Sequence, residues 1–217
     1  MKQLITIITV ILFFQSCNKS NDLLNDETCP LCDNFVLIAG DSIDDSLIYI
    51  EFKPIILVKG SRTGTSEHYE YLDSFLIDLN NDTENDLKFL FYENVYDPIC
   101  DSIDEGCCMP EGYAYCKVAN LTNFDIACSY DDLLSIYRPS RLNLGDTIDE
   151  KLHWISFNKD IEFAIATYPT DWNTAQHDGF MAFRYPNGKD YLYGWIRINT
   201  FWGMEIDIYD YAIEKSN

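Results

Sequence analysis

With 36 acidic and 15 basic residues among 217, the chain carries a formal charge of −21. So negative a field repels phosphate backbones, which excludes nucleic-acid binding, and it favours cations and a soluble monomer. The 47% hydrophobic and 15% aromatic content supports a real core and excludes global disorder, and the length suits one domain or two small ones.

Met1-Lys2 opens the chain, residues 4–14 are almost unbroken apolar, and Phe14-Gln15-Ser16-Cys17 follows at once. A basic start, an apolar stretch and a small residue before a cut predict a secretory signal peptide over residues 1–16. The stretch is too short for the roughly 20 residues that cross a bilayer core of about 30 Å. Cys17 directly after a small residue resembles the lipobox of bacterial lipoproteins, with Phe14 where that box usually has Leu. The resemblance implies export, a lipid on Cys17 as the mature N-terminus, and a membrane as partner through that lipid. Asn18 after the cysteine, not Asp, leans towards the outer membrane, facing the periplasm or the surface. An ordinary signal or a buried strand is the alternative.

Residues 17–34 read as the lipidated cysteine and a tether, because Asn18-Lys19-Ser20-Asn21-Asp22 is polar and aperiodic. Beyond Cys17 the cysteines are Cys29, Cys32, Cys100, Cys107, Cys108, Cys116 and Cys128. All are disulfide candidates in an oxidising compartment, and their odd number leaves at least one free thiol or an intermolecular bridge. Cys29-Pro30-Leu31-Cys32 has redox spacing but lacks the βαβ setting of a redox site, so a structural bridge is the better reading. The adjacent Cys107-Cys108 and the lack of a second C-x-x-C argue against a four-thiolate zinc site.

From Phe35 onward the apolar period is two, against about 3.6 for a helix. Strands are predicted over 35–39, 47–52, 55–58, 69–79, 87–92, 113–119, 161–168, 180–185, 191–199 and 204–211. Only residues 131–137 hint at a short helix. The last strand sets Met204, Ile206 and Ile208 on one face, with Glu205, Asp207 and Asp210 near the other. Together these predict an all-β fold, an antiparallel β-sandwich or flattened barrel with long disulfide-tied loops, as a single domain over 35–217.

Between two of these strands runs Asp78-Leu79-Asn80-Asn81-Asp82-Thr83-Glu84-Asn85-Asp86. Oxygen side chains at the first, third, fifth and ninth positions converge when a loop wraps a hard cation. The expected calcium ligands are Asp78, Asn80, Asp82 and Asp86, with Glu84 giving its backbone carbonyl. Thr83 stands where such loops normally have Gly, and the twelfth position is Phe89, so this is no EF-hand. A plain acidic turn competes with this reading, since Asn and Asp favour turns unaided. Further on, residues 93–112 form a long acidic loop. Closure by disulfide from Cys100 to Cys116 is expected there, with Cys29 and Cys32 paired together or bridged into the domain.

Asn187-Gly188 is a strong hairpin signal with both residues at positive φ. The implied register puts Phe183 opposite Leu192, Met181 opposite Gly194, Arg184 opposite Tyr191 and Phe180 opposite Trp195. One face then carries Met181, Phe183, Leu192 and Ile196 and suits a core. The other carries Arg184, Tyr191, Tyr193, Trp195 and Arg197. That stripe is a possible ligand-binding face for a glycan, with Arg184 over the Tyr191 ring in a cation–π pair of about 0.5–1 kcal/mol. Cover by a second sheet, making these ordinary core aromatics, is the favoured reading.

The loop at 78–86, Leu144-Gly145-Asp146-Thr147-Ile148, Gly179-Phe180-Met181-Ala182-Phe183-Arg184, Tyr193-Gly194-Trp195-Ile196-Arg197 and Asp210-Tyr211-Ala212 occur in a telling order. They resemble a family of uncharacterised exported bacterial β-proteins with a D-x-N-x-D-type acidic loop and a C-terminal Y-G-W-[VI]-R … D-Y-A module. The resemblance spans about residues 70–213 and implies an all-β secreted domain. No activity, ligand or catalytic residue comes with it.

G-x-S-x-G, H-E-x-x-H and Gly-rich phosphate loops are absent. His68, His153 and His177 are scattered, and no residue is assigned as catalytic. The expectation is a lipid-anchored envelope or surface protein without catalysis, stabilised by calcium and disulfides. Two alternatives stand beside it: a glycan-binding module on the hairpin face, and a carbohydrate-active enzyme with unassigned carboxylates.

Overall fold

A computed structural model describes residues 36–64, 68–96, 111–132, 134–156, 160–165, 170–172, 178–200 and 205–216. Residues 36–217 form one compact unit. The described residues are all-β, and every ladder is antiparallel.

In chain order the strands begin with β1 (Leu37–Ile38), β2 (Leu47–Val58), β3 (Ser61–Gly64), β4 (His68–Ile77) and β5 (Leu87–Tyr96). Next come β6 (Glu111–Asn120), β7 (Asp125–Asp131), β8 (Ile136–Pro139), β9 (Thr147–Ile148) and β10 (Trp154–Ser156). The chain continues through β11 (Ile161–Ile165), β12 (Gly179–Asn187), β13 (Asp190–Thr200) and β14 (Ile206–Glu214). A seven-stranded sheet runs β10-β7-β12-β13-β14-β2, with β8 also on β7. A five-stranded sheet runs β11-β6-β5-β4-β3, and β1 pairs with β9 alone. The two large sheets make the sandwich, and neither closes into a barrel.

Alternation along the strands builds the main core between these sheets. Phe89, Phe91 and Val118 face it from one side, and Ile126, Met181, Phe183, Ile196 and Ile208 from the other, all at most 1% exposed. Phe89 meets Phe163 edge-on at 6.2 Å, and Phe124 meets Phe183 at 5.4 Å. Burying each such side chain contributes about 1.5–3 kcal/mol. Packing fixes one glycine outright: a Cβ on Gly194 would lie 2.2 Å from the Phe183 ring.

Several sequence expectations are corrected here. The described residues of 131–137 contain no helix; they close a hairpin in which Asp131 pairs with Ile136 and Ser135 takes φ 56°. Strands expected separately over 47–52 and 55–58 are one, β2, running through Pro54 at the sheet edge, where a missing N–H is tolerated. Five short strands, β3 and β7 to β10, were not predicted. At the β12–β13 hairpin the two-residue turn is Gly188-Lys189, with Gly188 at φ 67°, and Asn187 pairs with Asp190. Phe183 therefore faces Gly194, Met181 faces Ile196 and Arg184 faces Tyr193. This slip is an even one, so each residue keeps its predicted face. In β14, a ladder shift leaves Tyr209 without a partner between Asp210, opposite Arg197, and Ile208, opposite Ile198. That bulge lets Ile206, Ile208, Tyr211 and Ile213 all reach the main core while Asp210 lies on the other face.

Candidate functional site

The acidic loop joins β4 to β5 and is built from side-chain hydrogen bonds to its own backbone. Asp78 accepts from the N–H of Asp82 at 3.2 Å and of Thr83 at 2.8 Å. Asn80 Oδ1 accepts from the Asp82 N–H at 3.0 Å, and Asp82 Oδ1 from the Glu84 N–H at 2.8 Å. Asn81 and Thr83 take φ of 60° and 77°. Thr83 thus makes the left-handed turn usually left to Gly, with its N–H anchored on Asp78.

Asp86 departs from the expected ligand set. Its side chain is buried at 1% exposure, accepting from the Leu79 N–H at 2.7 Å and from Thr122 Oγ1 at 3.0 Å. Burial pushes its carboxyl upward, and those hydrogen bonds act against the shift. It ties the loop to the end of β6 instead of joining Asp78 and Asp82. Among the described residues, no three His, Cys, Asp or Glu side chains come together to hold a metal ion.

The predicted aromatic stripe lies on the outer face of the seven-stranded sheet and divides in two. Trp195 is 1% exposed and meets Phe180 edge-on at 5.2 Å. Leu37, Ala39, Leu142 and Ile148 cover it, so the lid is the β1–β9 ribbon with its flanking chain, not a second sheet. Backbone bonds hold that lid down at Phe180, whose N–H donates to Leu142 O at 3.0 Å and whose O accepts from the Leu142 N–H at 2.9 Å. Ala39 N–H to Asp146 O at 2.9 Å ties the two strands of the ribbon together. Trp195 is core.

Arg184 and Tyr191 lie beyond the lid, and Tyr193 packs half-buried against its edge. The expected stack is present: the Arg184 guanidinium is 3.9 Å from the Tyr191 ring centre and 5.0 Å from that of Trp154. Arg184 Nε donates to Asp125 Oδ2 at 2.9 Å, and Ser156 Oγ donates to Asp125 Oδ1. Tyr193 stacks obliquely on Trp154 at 5.7 Å, and burial raises its phenol against the opposing charge of Arg184.

Two further arginines follow the same plan. Arg197 Nε donates to Asp210 Oδ1 at 3.0 Å, and the Tyr49 hydroxyl donates to Asp210 Oδ2 at 3.0 Å. Burial first, then Asp210, pushes the Tyr49 phenol up to about 12. Arg138 Nε donates to Asp131 Oδ2 at 2.9 Å. Sequence reasoning missed Asp125, Ser156 and Asp131 because each lies on a strand that it did not assign or read as helix. The chain carries too many carboxylates for composition to single these out.

Cys116 and Cys128 are free, buried thiols, which corrects their place among the disulfide candidates and the expected closure through Cys116. Cys116 faces the main core from β6, with its sulfur 3.9 Å from the Glu205 carbonyl oxygen. Desolvation raises both thiols, that of Cys128 to about 12, so neither is a nucleophile at neutral pH. The signal peptide, Cys17, the tether, Cys29, Cys32, Cys100, Cys107 and Cys108 lie outside the described residues. No protein-family model matches this chain, and no curated protein or solved structure is significantly similar to it.

Proposed function

We propose that this chain is an exported lipoprotein of the cell envelope, anchored in the outer membrane through Cys17, whose β-sandwich works without catalysis. The reading places it with the exported β-proteins that its C-terminal module resembles. One observation carries the non-catalytic part: Arg138, Arg184 and Arg197 each hold an aspartate within the seven-stranded sheet, so these charges serve architecture. The N-terminal signal and the placement of Cys17 support the anchor. A lipid chain binds a membrane with about 0.8 kcal/mol per buried methylene. Mass spectrometry of the purified protein tests it: an acylated Cys17 is expected, and a mature chain beginning elsewhere rejects the anchor.

Calcium at the 78–86 loop belongs to the same proposal, with Asp78, Asn80, Asp82 and the Glu84 carbonyl as ligands. What supports it is the left-handed pair Asn81 and Thr83, which supplies the turn despite the missing Gly. A cation there would relieve repulsion between Asp78 and Asp82 and raise the melting temperature by mass action. Asp82→Ala should abolish that rise. Identical melting curves in calcium and in chelator reject it.

A further inference from the structure

Where the outer face of the seven-stranded sheet is left uncovered, it ends in a cleft of about 560 Å3. That size falls within the roughly 300–1,000 Å3 of small-molecule sites. Asn120 comes from the end of β6, Thr122 and Asn123 from the turn between β6 and β7, Asp125 from β7, Ser156 from β10 and Tyr191 from β13. Strand ends of the seven-stranded sheet and the chain leading into it from β6 of the other sheet thus converge on a single hollow. We infer that this cleft binds a neutral sugar residue, seated against the Tyr191 ring and hydrogen-bonded by Asp125, Ser156 and Asn123. The inference goes beyond the envelope role above and does not rest on the lipid or on calcium.

Charge selects a neutral ligand. Asp125 is the one charged residue among the described lining residues, and Arg184 already neutralises it at 2.9 Å. Neither a cation nor an anion finds an uncompensated partner there, in a chain whose surface is otherwise acidic. Hydrogen-bonding capacity selects hydroxyls. Asp125 is 7% exposed and receives one bond on each oxygen, from Ser156 and Arg184. An ionised carboxylate has about four acceptor sites, so capacity remains for incoming O–H donors. Its orientation is fixed beforehand, which lowers the entropy lost on binding.

Asn120 and Thr122 shape the wall. Asn120 donates to the Phe124 carbonyl and accepts from the Thr122 N–H, and the Thr122 hydroxyl is held by Asp86. Asn123 is exposed and offers its carboxamide as both donor and acceptor. Tyr191 is 38% exposed, and its ring is pinned by Arg184 over its face. A pinned aromatic beside fixed hydroxyl partners matches a pyranose, which is apolar across its C–H face and polar around its rim.

The test is an NMR titration of the isotope-labelled full chain with neutral hexoses, N-acetylhexosamines, their β-linked dimers and a hexuronic acid. Amide shifts are expected at Asn123, Asp125, Ser156 and Tyr191 with at least one neutral sugar. Tyr191→Ala should weaken that binding about tenfold, the size of one aromatic contact. Asn123→Ala, at an exposed site, should weaken it several-fold without changing the melting temperature. Tyr113→Ala, on the five-stranded sheet, should leave it unchanged. No shift at these residues with any sugar overturns the inference. So do undiminished binding in both cleft variants and a preference for the uronic acid.

Discussion

The outer face of the seven-stranded sheet holds two regions made from the same strands with opposite outcomes. Around Trp195 the face is closed: the side chain has 1% exposure, ringed by Phe180, Leu37, Leu142 and Ile148. A few residues along β13, Tyr191 is 38% exposed, with Arg184 and Asp125 beside it. Both lie on one face by simple alternation, so periodicity cannot separate them. What separates them is the reach of the β1–β9 ribbon. A short lid anchored at Phe180 through Leu142 covers one end of the face and leaves the other to polar groups.

The largest effect should come from breaking the closed half. Trp195→Ala should lower unfolding stability by about 3–5 kcal/mol, read as a fall in the denaturant midpoint. Tyr191→Ala should lower it by only about 0.5–1 kcal/mol, the size of an exposed cation–π contact. Equal losses at the two sites would dissolve the distinction between lidded and open halves.

A somewhat smaller effect is expected at the pair that borders the open half. Arg184→Met alone leaves Asp125 largely buried and uncompensated, and the penalty should reach about 3 kcal/mol. Adding Asp125→Leu should restore much of that loss, because removing both charges avoids an unpaired one. Denaturant melts of the two single variants and the double give the coupling. Additive losses would mean that the pair is no more than a surface contact.

The smallest effect sharpens the contrast between the two ends of the acidic loop. Burial raises Asp86 above its ordinary value of 3.8, so the native state takes up this proton at a higher pH than the unfolded chain does. Its contribution to stability is full below 3.8 and is lost as pH rises through the raised native value. The share of stability that Asp86 supplies should therefore grow on acidification from neutral pH towards that ordinary value. Asp86→Asn should remove that share from the pH dependence while keeping the shape of the side chain. Asp82→Ala, at an exposed site, should not.

Much of the fold could be read from residues because alternation is a local property. The faces of β12 and β13 follow from alternation even though the turn lies one residue later than Asn187-Gly188 predicts, since an even slip preserves inside and outside. Where the pattern failed, a long-range cause can be named. Residues 131–137 carry apolar spacing compatible with a helical turn, yet the pairing of β7 with β8 makes them the end of a hairpin. Counting cysteines by compartment predicts a bridge at Cys116, whereas its inward position on β6 makes it core.

By itself the sequence determined the all-β class, the alternation that sorts core from surface, and the oxygen spacing of residues 78–86. Each depends on neighbours within a few residues, where the backbone period and turn chemistry act directly. Only the tertiary structure decided that Asp86 turns inward to Thr122, that Trp195 lies beneath a lid, and that Asp125 and Ser156 meet Tyr191 at one cleft. Those outcomes join residues tens of positions apart. They follow from which strands lie side by side and how far each covering segment extends, and no local pattern encodes either.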